Sequence, residues 1–166
     1  RTDAENMDLA SDSQDLLFSN FALQWCDDLS ALAAELYRVL LPDGRVYLAV
    51  PGPATLNELR QAWSEVDGGV HVNRFSSLQQ WQQVLSEVGF TRVNLDSLRV
   101  TEQHRSVREL LLELKNVGAH NNNAGKVNHL TGKKQLKALY HAYDYFRLPG
   151  GTIPATWEII SGFVVK

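Results

Sequence analysis

Asp15-Leu16-Leu17-Phe18-Ser19-Asn20, running on into Phe21-Ala22-Leu23-Gln24-Trp25, decides the reading of this chain. An acid and three apolar residues feed a polar pair, Ser19-Asn20, the pattern of a buried strand that ends at a site. A second strand is expected at Arg45-Val46-Tyr47-Leu48-Ala49-Val50, beyond an intervening helix, so the two strands should run parallel as a strand-helix-strand unit. In open sheets of this kind ligands collect beyond the carboxyl ends of the strands. Here that means Ser19-Asn20 on one strand and Pro51-Gly52-Pro53 on the other.

The helix between them has Asp27-Asp28-Leu29-Ser30 as cap and early negative charge, and Leu29, Leu32, Ala33, Leu36, Val39 and Leu40 fall on one stripe. Pro42-Asp43-Gly44 is expected to stop it and turn the chain into the second strand. Beyond Pro51, the spacing predicts a helix from Thr55 to Val66, a helix capped by Ser76 or Ser77 and ended by Gly89, and a sheet-edge strand over residues 90–100. Two further helices follow, one from Ser106 to Gly118 and one carrying Leu136, Leu139, Tyr140, Tyr143 and Phe146. The strand 155–165 closes the chain, so residues 105–154 read as a helical insertion before the last strand. Upstream of Asp15, residues 1–14 read as a loop in which Asp3-Ala4-Glu5-Asn6-Met7 could offer a carboxylate and a backbone N–H to a ligand.

With 166 residues the chain suits one domain with a sizeable core. The 44% apolar and 21% charged shares are those of a soluble globular protein, and no apolar run approaches the ~20 residues that span a bilayer. A cytoplasmic location is expected. Cys26 is the single cysteine, which excludes an internal disulfide and a cysteine-based zinc site; beside Trp25 it reads as a packing residue. The net charge of -3 hides an asymmetry: residues 1–98 carry 6 Lys/Arg against 14 Asp/Glu, whereas residues 99–147 carry 9 against 4. The basic third could steer an acidic partner or be a solvated helix face. Nothing marks a nucleic-acid or metal site.

Several of these stretches together resemble the second half of a class I S-adenosylmethionine-dependent methyltransferase: Asp3-Ala4-Glu5, residues 15–25, Tyr37-Arg38-Val39-Leu40-Leu41-Pro42-Asp43-Gly44 and Gly89-Phe90. Five others narrow the resemblance to the malonyl-acyl-carrier-protein O-methyltransferases of biotin synthesis. They are residues 56–63, Val70-His71-Val72-Asn73-Arg74-Phe75, the segment from Arg108 to Asn121, Leu130-Thr131-Gly132, and Pro154-Ala155-Thr156-Trp157-Glu158. The implied fold is α/β, a Rossmann-like sheet with a helical lid inserted before its last strand. The implied division is 1–104 as core, 105–154 as lid and 155–166 as last strand. The family's glycine-rich cofactor turn has no counterpart, since no Gly-x-Gly occurs. That turn and its acidic partner are expected upstream of Arg1, so the chain reads as a carboxyl-terminal portion that is inactive alone.

The resemblance implies S-adenosylmethionine as cofactor and transfer of its methyl group to the free carboxylate of a malonyl thioester. A carboxylate is already a nucleophile at neutral pH, so no catalytic base is assigned and orientation is the protein's task. On the matching positions, Asp3 and Ala4 would hold the adenine. Ser19, Asn20 and Leu23 would line the methyl-transfer end, with Gln24 and Trp25 as wall. Arg74, Arg108, His120 and Asn121 would contact the substrate, Trp25 also being near it. Arg105, Arg108, Lys115, Lys133, Lys134 and Lys137 would receive the acidic acyl carrier protein, with coenzyme A as the alternative carrier of the malonyl group. Methylation of another small carboxylate or a quinone, and a non-catalytic half-domain associating through its sheet edge, stay open from sequence.

Overall fold

The computed structural model describes residues 3–67, 69–118 and 132–166. Its elements are β1 (Gln14–Asn20), α1 (Leu29–Val39), β2 (Leu40–Pro51), α2 (Asn57–Ser64), α3 (Leu78–Glu87), β3 (Arg92–His104), α4 (Val107–Asn116), α5 (Lys133–Tyr143) and β4 (Ile153–Val165), with short 3-10 turns at Leu23–Trp25 and Asp144–Phe146. The strands order as β1-β2-β4-β3. β1 and β2 are parallel, as expected of a strand-helix-strand unit, with Leu17 opposite Val46 and Ser19 opposite Leu48. β4 returns antiparallel to β2, from Arg45 opposite Val165 to Pro51 opposite Ile159. The last strand therefore inserts between β2 and β3, and the latter becomes the edge strand that the imperfect alternation predicts.

The chain forms two compact units. The first contains Arg1–Pro53, Phe75–Leu98 and Glu158–Lys166; the second contains Ala54–Arg74 and Arg99–Trp157. In the first, Leu32 and Leu36 of α1, Val46, Leu48 and Val50 of β2, Trp81 and Leu85 of α3 and Ile160 and Val164 of β4 make one core. Burying each such aliphatic side chain contributes roughly 1.5–3 kcal/mol. The helices that supply them start as the sequence dictates. Asp28 Oδ1 accepts the N–H groups of Ser30 and Ala31 at 2.9 and 3.0 Å, and Ser77 with Gln80 forms a reciprocal cap on α3. In the second unit Leu59 and Trp63 of α2, Leu110 and Leu114 of α4, Leu139 and Tyr143 of α5, and Ile153 and Ala155 share a separate core. Tyr143 there donates its hydroxyl to Pro154 O at 2.8 Å. Burial, and then the Glu58 carboxylate, push that phenol far above its ordinary range.

Four local expectations are corrected. β1 is not a buried strand: Leu16 is 53% and Phe18 77% exposed, because β1 ends the sheet and only its Leu17 face meets the core. Pro42-Asp43-Gly44 does not separate helix from strand. The strand begins at Leu40, directly after α1, and these residues form an irregularity inside it, where the register shifts between Gln14 and Leu16 and Asp43 takes φ +63°. The helix expected from Thr55 starts at Asn57, since Leu56 adopts φ +53° and gives its N–H to Thr156 O at 2.6 Å. β3 and β4 are longer than the alternation suggests, reaching His104 and beginning at Ile153.

Candidate functional site

Unit 1 gathers the first set of expected residues at the carboxyl end of β1. Ser19 is half-buried and Asn20 exposed. Phe21 turns the chain there with φ +50° and hands its N–H to Ala49 O, so the strand stops at this point. The 3-10 turn that follows buries Leu23 and leaves Trp25 partly in solvent. Gln24 is oriented by its own amide, Nε2 donating to Phe21 O at 2.8 Å. Two buried polar atoms remain without a hydrogen-bond partner here, Ser19 Oγ and Gln24 Oε1. Unmet buried polar atoms cost about 1–3 kcal/mol each.

The loop 3–12 reaches the same neighbourhood and is held by α1. Asp3 Oδ1 accepts Glu5 N–H at 3.1 Å, Glu5 Oε1 accepts Asp28 N–H at 2.7 Å, and Ala4 packs on the core. Glu35 Oε1 accepts Met7 N–H at 2.7 Å, while Arg38 pairs with Glu35 and donates to Met7 O, Leu9 O and Ser11 Oγ. Hydrogen bonding from Arg38 holds the Glu35 carboxyl below its ordinary value of 4.5, against the opposite pull of burial. In the sequence Arg38 stands out only as part of the Tyr37–Gly44 motif. Its role as the loop's anchor needs contacts spanning 27 to 31 residues.

Asp3 and Glu5 also act on Cys26. Burial first, then Glu5, Asp3 and Asp27, push its thiol up to about 11. Because the thiolate is the reactive form, alkylation of Cys26 by iodoacetamide at pH 8 should run about a hundredfold slower than that of an ordinary cysteine. A rate equal to that of free cysteine would show that the acidic loop does not sit against this turn.

In unit 2, Arg74 is exposed and follows a segment fixed to α2. The His71 ring stacks on Trp63 with centroids 3.7 Å apart and planes within 7°, and its Nε2 lies 2.7 Å from Asp67 Oδ1. Asp67 also accepts from Gly69 N–H and from Gln135 Nε2. Arg60 Nη2 donates to Thr55 O and Asn73 O, both at 3.2 Å. Arg105 and Arg108 line a shallow groove at the start of α4 with Ser106, Glu109, Leu112 and Glu113. Lys115, Lys133, Lys134 and Lys137 are all exposed. His120 and Asn121 lie outside the described residues. Among the described residues there is no group of three or more His, Cys, Asp or Glu that could hold a metal ion, and no helix is long and apolar enough to cross a membrane.

Residues 1–48 match the family model described as a methyltransferase domain. The whole chain superimposes on a structure solved as a candidate methyltransferase from Bacillus halodurans, with a TM-score of 0.65 at 17% identity, covering 100% of this chain and 70% of that one. The chain carries a methyltransferase fold. Among curated relatives, the malonyl-[acyl-carrier protein] O-methyltransferase of Methylococcus capsulatus is 41% identical over 99% of this chain and 60% of its own length. The biotin biosynthesis bifunctional protein BioHC of Cellvibrio japonicus is 41% identical over 95% of this chain and 31% of its own. The chain thus spans 60% and 31% of the lengths of these two relatives.

Proposed function

We propose that this chain is the part of an S-adenosylmethionine-dependent O-methyltransferase that completes its cofactor site and carries its substrate elements, the acceptor being the free carboxylate of malonyl-acyl carrier protein in the biotin synthesis of the cytoplasm. The observation that carries this reading is the 41% identity, across 99% of the chain, to a protein of that name. The site at the end of β1 is consistent with it. Ser19 and Asn20 end β1, where the transfer end of the cofactor would lie, and the anchored loop would offer the Asp3 carboxylate and the Ala4 N–H to an adenine edge.

S-adenosylmethionine would supply an activated methyl group. The carboxylate oxygen would take that methyl group as the thioether leaves, with no proton to be moved. The chain's own residues therefore have only to place and to neutralise. Ser19, Asn20 and Leu23 would shape the transfer end, Trp25 and Gln24 its wall. Arg74 and Arg108, together with His120 and Asn121, would bind the malonyl group. The helices of 105–154 would act as a lid that excludes water. Arg105, Lys115, Lys133, Lys134 and Lys137 would receive an acidic carrier protein, which predicts a rate on carrier-bound malonate that falls with salt.

The test is methyl transfer by the full-length protein containing this chain, from labelled S-adenosylmethionine to malonyl-acyl carrier protein, malonyl-coenzyme A, free malonate and a quinol. Transfer to the malonyl thioesters well above the other two is expected. Preference for the quinol or for free malonate would replace the proposed substrate.

A further inference from the structure

We propose that the groove at the start of α4 is a phosphate site for the pantetheine arm that carries the malonyl group on acyl carrier protein, with Arg105 and Arg108 as its cations and Leu112 as its apolar wall. The inference rests on the reading of function above, and it gives Arg108 to the arm, leaving Arg74 to the malonyl head. Arg108 and Leu112 are four residues apart and share one side of α4, whereas Val107, Leu110 and Leu114 are buried on the other. That outward side is concave. Arg105, Ser106, Arg108, Glu109, Leu112 and Glu113 line one groove of about 380 Å³ there, so both guanidinium groups border a single cavity.

The groove holds two acids as well as two cations, and their partners decide which charges are left for a ligand. Glu109 Oε2 accepts the Arg105 N–H at 2.6 Å, and Glu113 Oε2 lies 3.3 Å from Nδ1 of the buried His104. Both carboxylates are thus engaged by groups of their own unit. The guanidinium heads are not: neither makes an ion pair or a side-chain hydrogen bond among the described residues, although Glu109 and Glu113 stand at helical spacing from them. Two unengaged forks at one cavity suit a phosphate, whose oxygens accept paired N–H donors. Leu112, 50% exposed in the same groove, narrows the ligand. One exposed leucine alone carries no meaning, but beside two cations it fits a phosphate with an aliphatic neighbour. The pantetheine arm is built that way, with a gem-dimethyl carbon close to its phosphodiester. Coenzyme A bears the same arm; the carrier protein is the better fit because Lys115, Lys133, Lys134 and Lys137 of this unit are exposed to an acidic partner.

Calorimetry on the full-length protein containing this chain would compare 4′-phosphopantetheine with pantetheine, which lacks only the phosphate. Wild type should bind the phosphorylated form tenfold or more tightly. That ratio should fall below threefold in Arg105→Gln and in Arg108→Gln, and to an intermediate value in Arg108→Lys, since an ammonium keeps the charge but loses the fork. A diffuse basic surface predicts instead that Lys133→Gln lowers the ratio as strongly as either arginine variant. That result, or a wild type that does not discriminate, overturns the site. Both arginines are exposed, so the variants should fold. Kinetics on the same proteins identifies the source of the arm. KM for malonyl-acyl carrier protein should rise tenfold or more in the arginine variants, while KM for malonyl-pantetheine stays within twofold. A rise for malonyl-coenzyme A with none for the carrier protein would overturn the carrier as the occupant. Discrimination that the arginine variants abolish, in a protein that methylates no malonyl thioester, would leave the phosphate site standing and reject the proposed reaction.

Discussion

Gly162→Ala is expected to remove about 3–5 kcal/mol of folding stability, a large part of what a domain of this size possesses. Gly162 lies in β4 opposite Leu48 of β2, with β3 on the other side. Its φ is +151°, in the region that side chains rarely enter, and a Cβ there would lie 2.0 Å from Asn94 O and 3.1 Å from the Leu95 Cα. Those are backbone atoms of a paired strand and cannot swing aside as a side-chain tip could. The backbone strain alone costs roughly 1–3 kcal/mol, and forcing β3 away adds a comparable overpacking cost. Urea unfolding of the full-length protein, followed by circular dichroism, measures the loss. Gly150→Ala is the control, because a Cβ at Gly150 meets nothing within 4 Å. A loss under about 1 kcal/mol at Gly162 would mean that β3 does not approach β4 as closely as described.

How much of this was readable beforehand depended on whether the signal was local. β1, α1 and β2 were legible because a period of 3.6 followed by an apolar run needs no knowledge of the rest of the chain. The cap by Asp28 and the reciprocal cap by Ser77 and Gln80 were equally local. Pro42-Asp43-Gly44 misled for the converse reason. The turn residues are genuine, yet the pairing of Gln14 with Leu40 extends the strand through them, and only the partner strand reveals that. Leu16 and Phe18 show a related limit: an apolar alternation says that a strand has two faces, not which of them is covered. At the candidate site, Ser19 and Gln24 were reachable from their places at the end of a strand and just beyond it. Arg38 was not, because its task is a set of hydrogen bonds to a loop 27 to 31 residues away, which no spacing rule encodes.

The larger functional effect should come from this unreadable residue. Arg38→Ala is expected to weaken S-adenosylhomocysteine binding by the full-length protein tenfold or more, although Arg38 would touch no ligand. Its guanidinium joins Met7 O, Leu9 O and Ser11 Oγ to Glu35, and Glu35 in turn holds Met7 N–H. Removing it frees the loop that presents Asp3 and Ala4, so the cost of ordering that loop falls on ligand binding. Glu35 gives the effect a pH signature. Its folded pKa is depressed below 4.5, chiefly by Arg38, so its contribution is fully present above that ordinary value and is lost as pH falls through the lower folded one. In wild type, loop and affinity should therefore persist from neutrality down to about 4.5 and fail only on further acidification. In Arg38→Ala the main cause of the depression is gone and burial of the carboxyl still opposes its charge, so the loss should begin at higher pH. Arg147→Ala removes a comparable contact to Asp144 at the end of α5 and should leave affinity unchanged. Calorimetric titrations of the three proteins between pH 4 and 8 would decide. Unaltered affinity in Arg38→Ala, with only its melting temperature lowered, would mean that loop 3–12 supports the fold and not the cofactor.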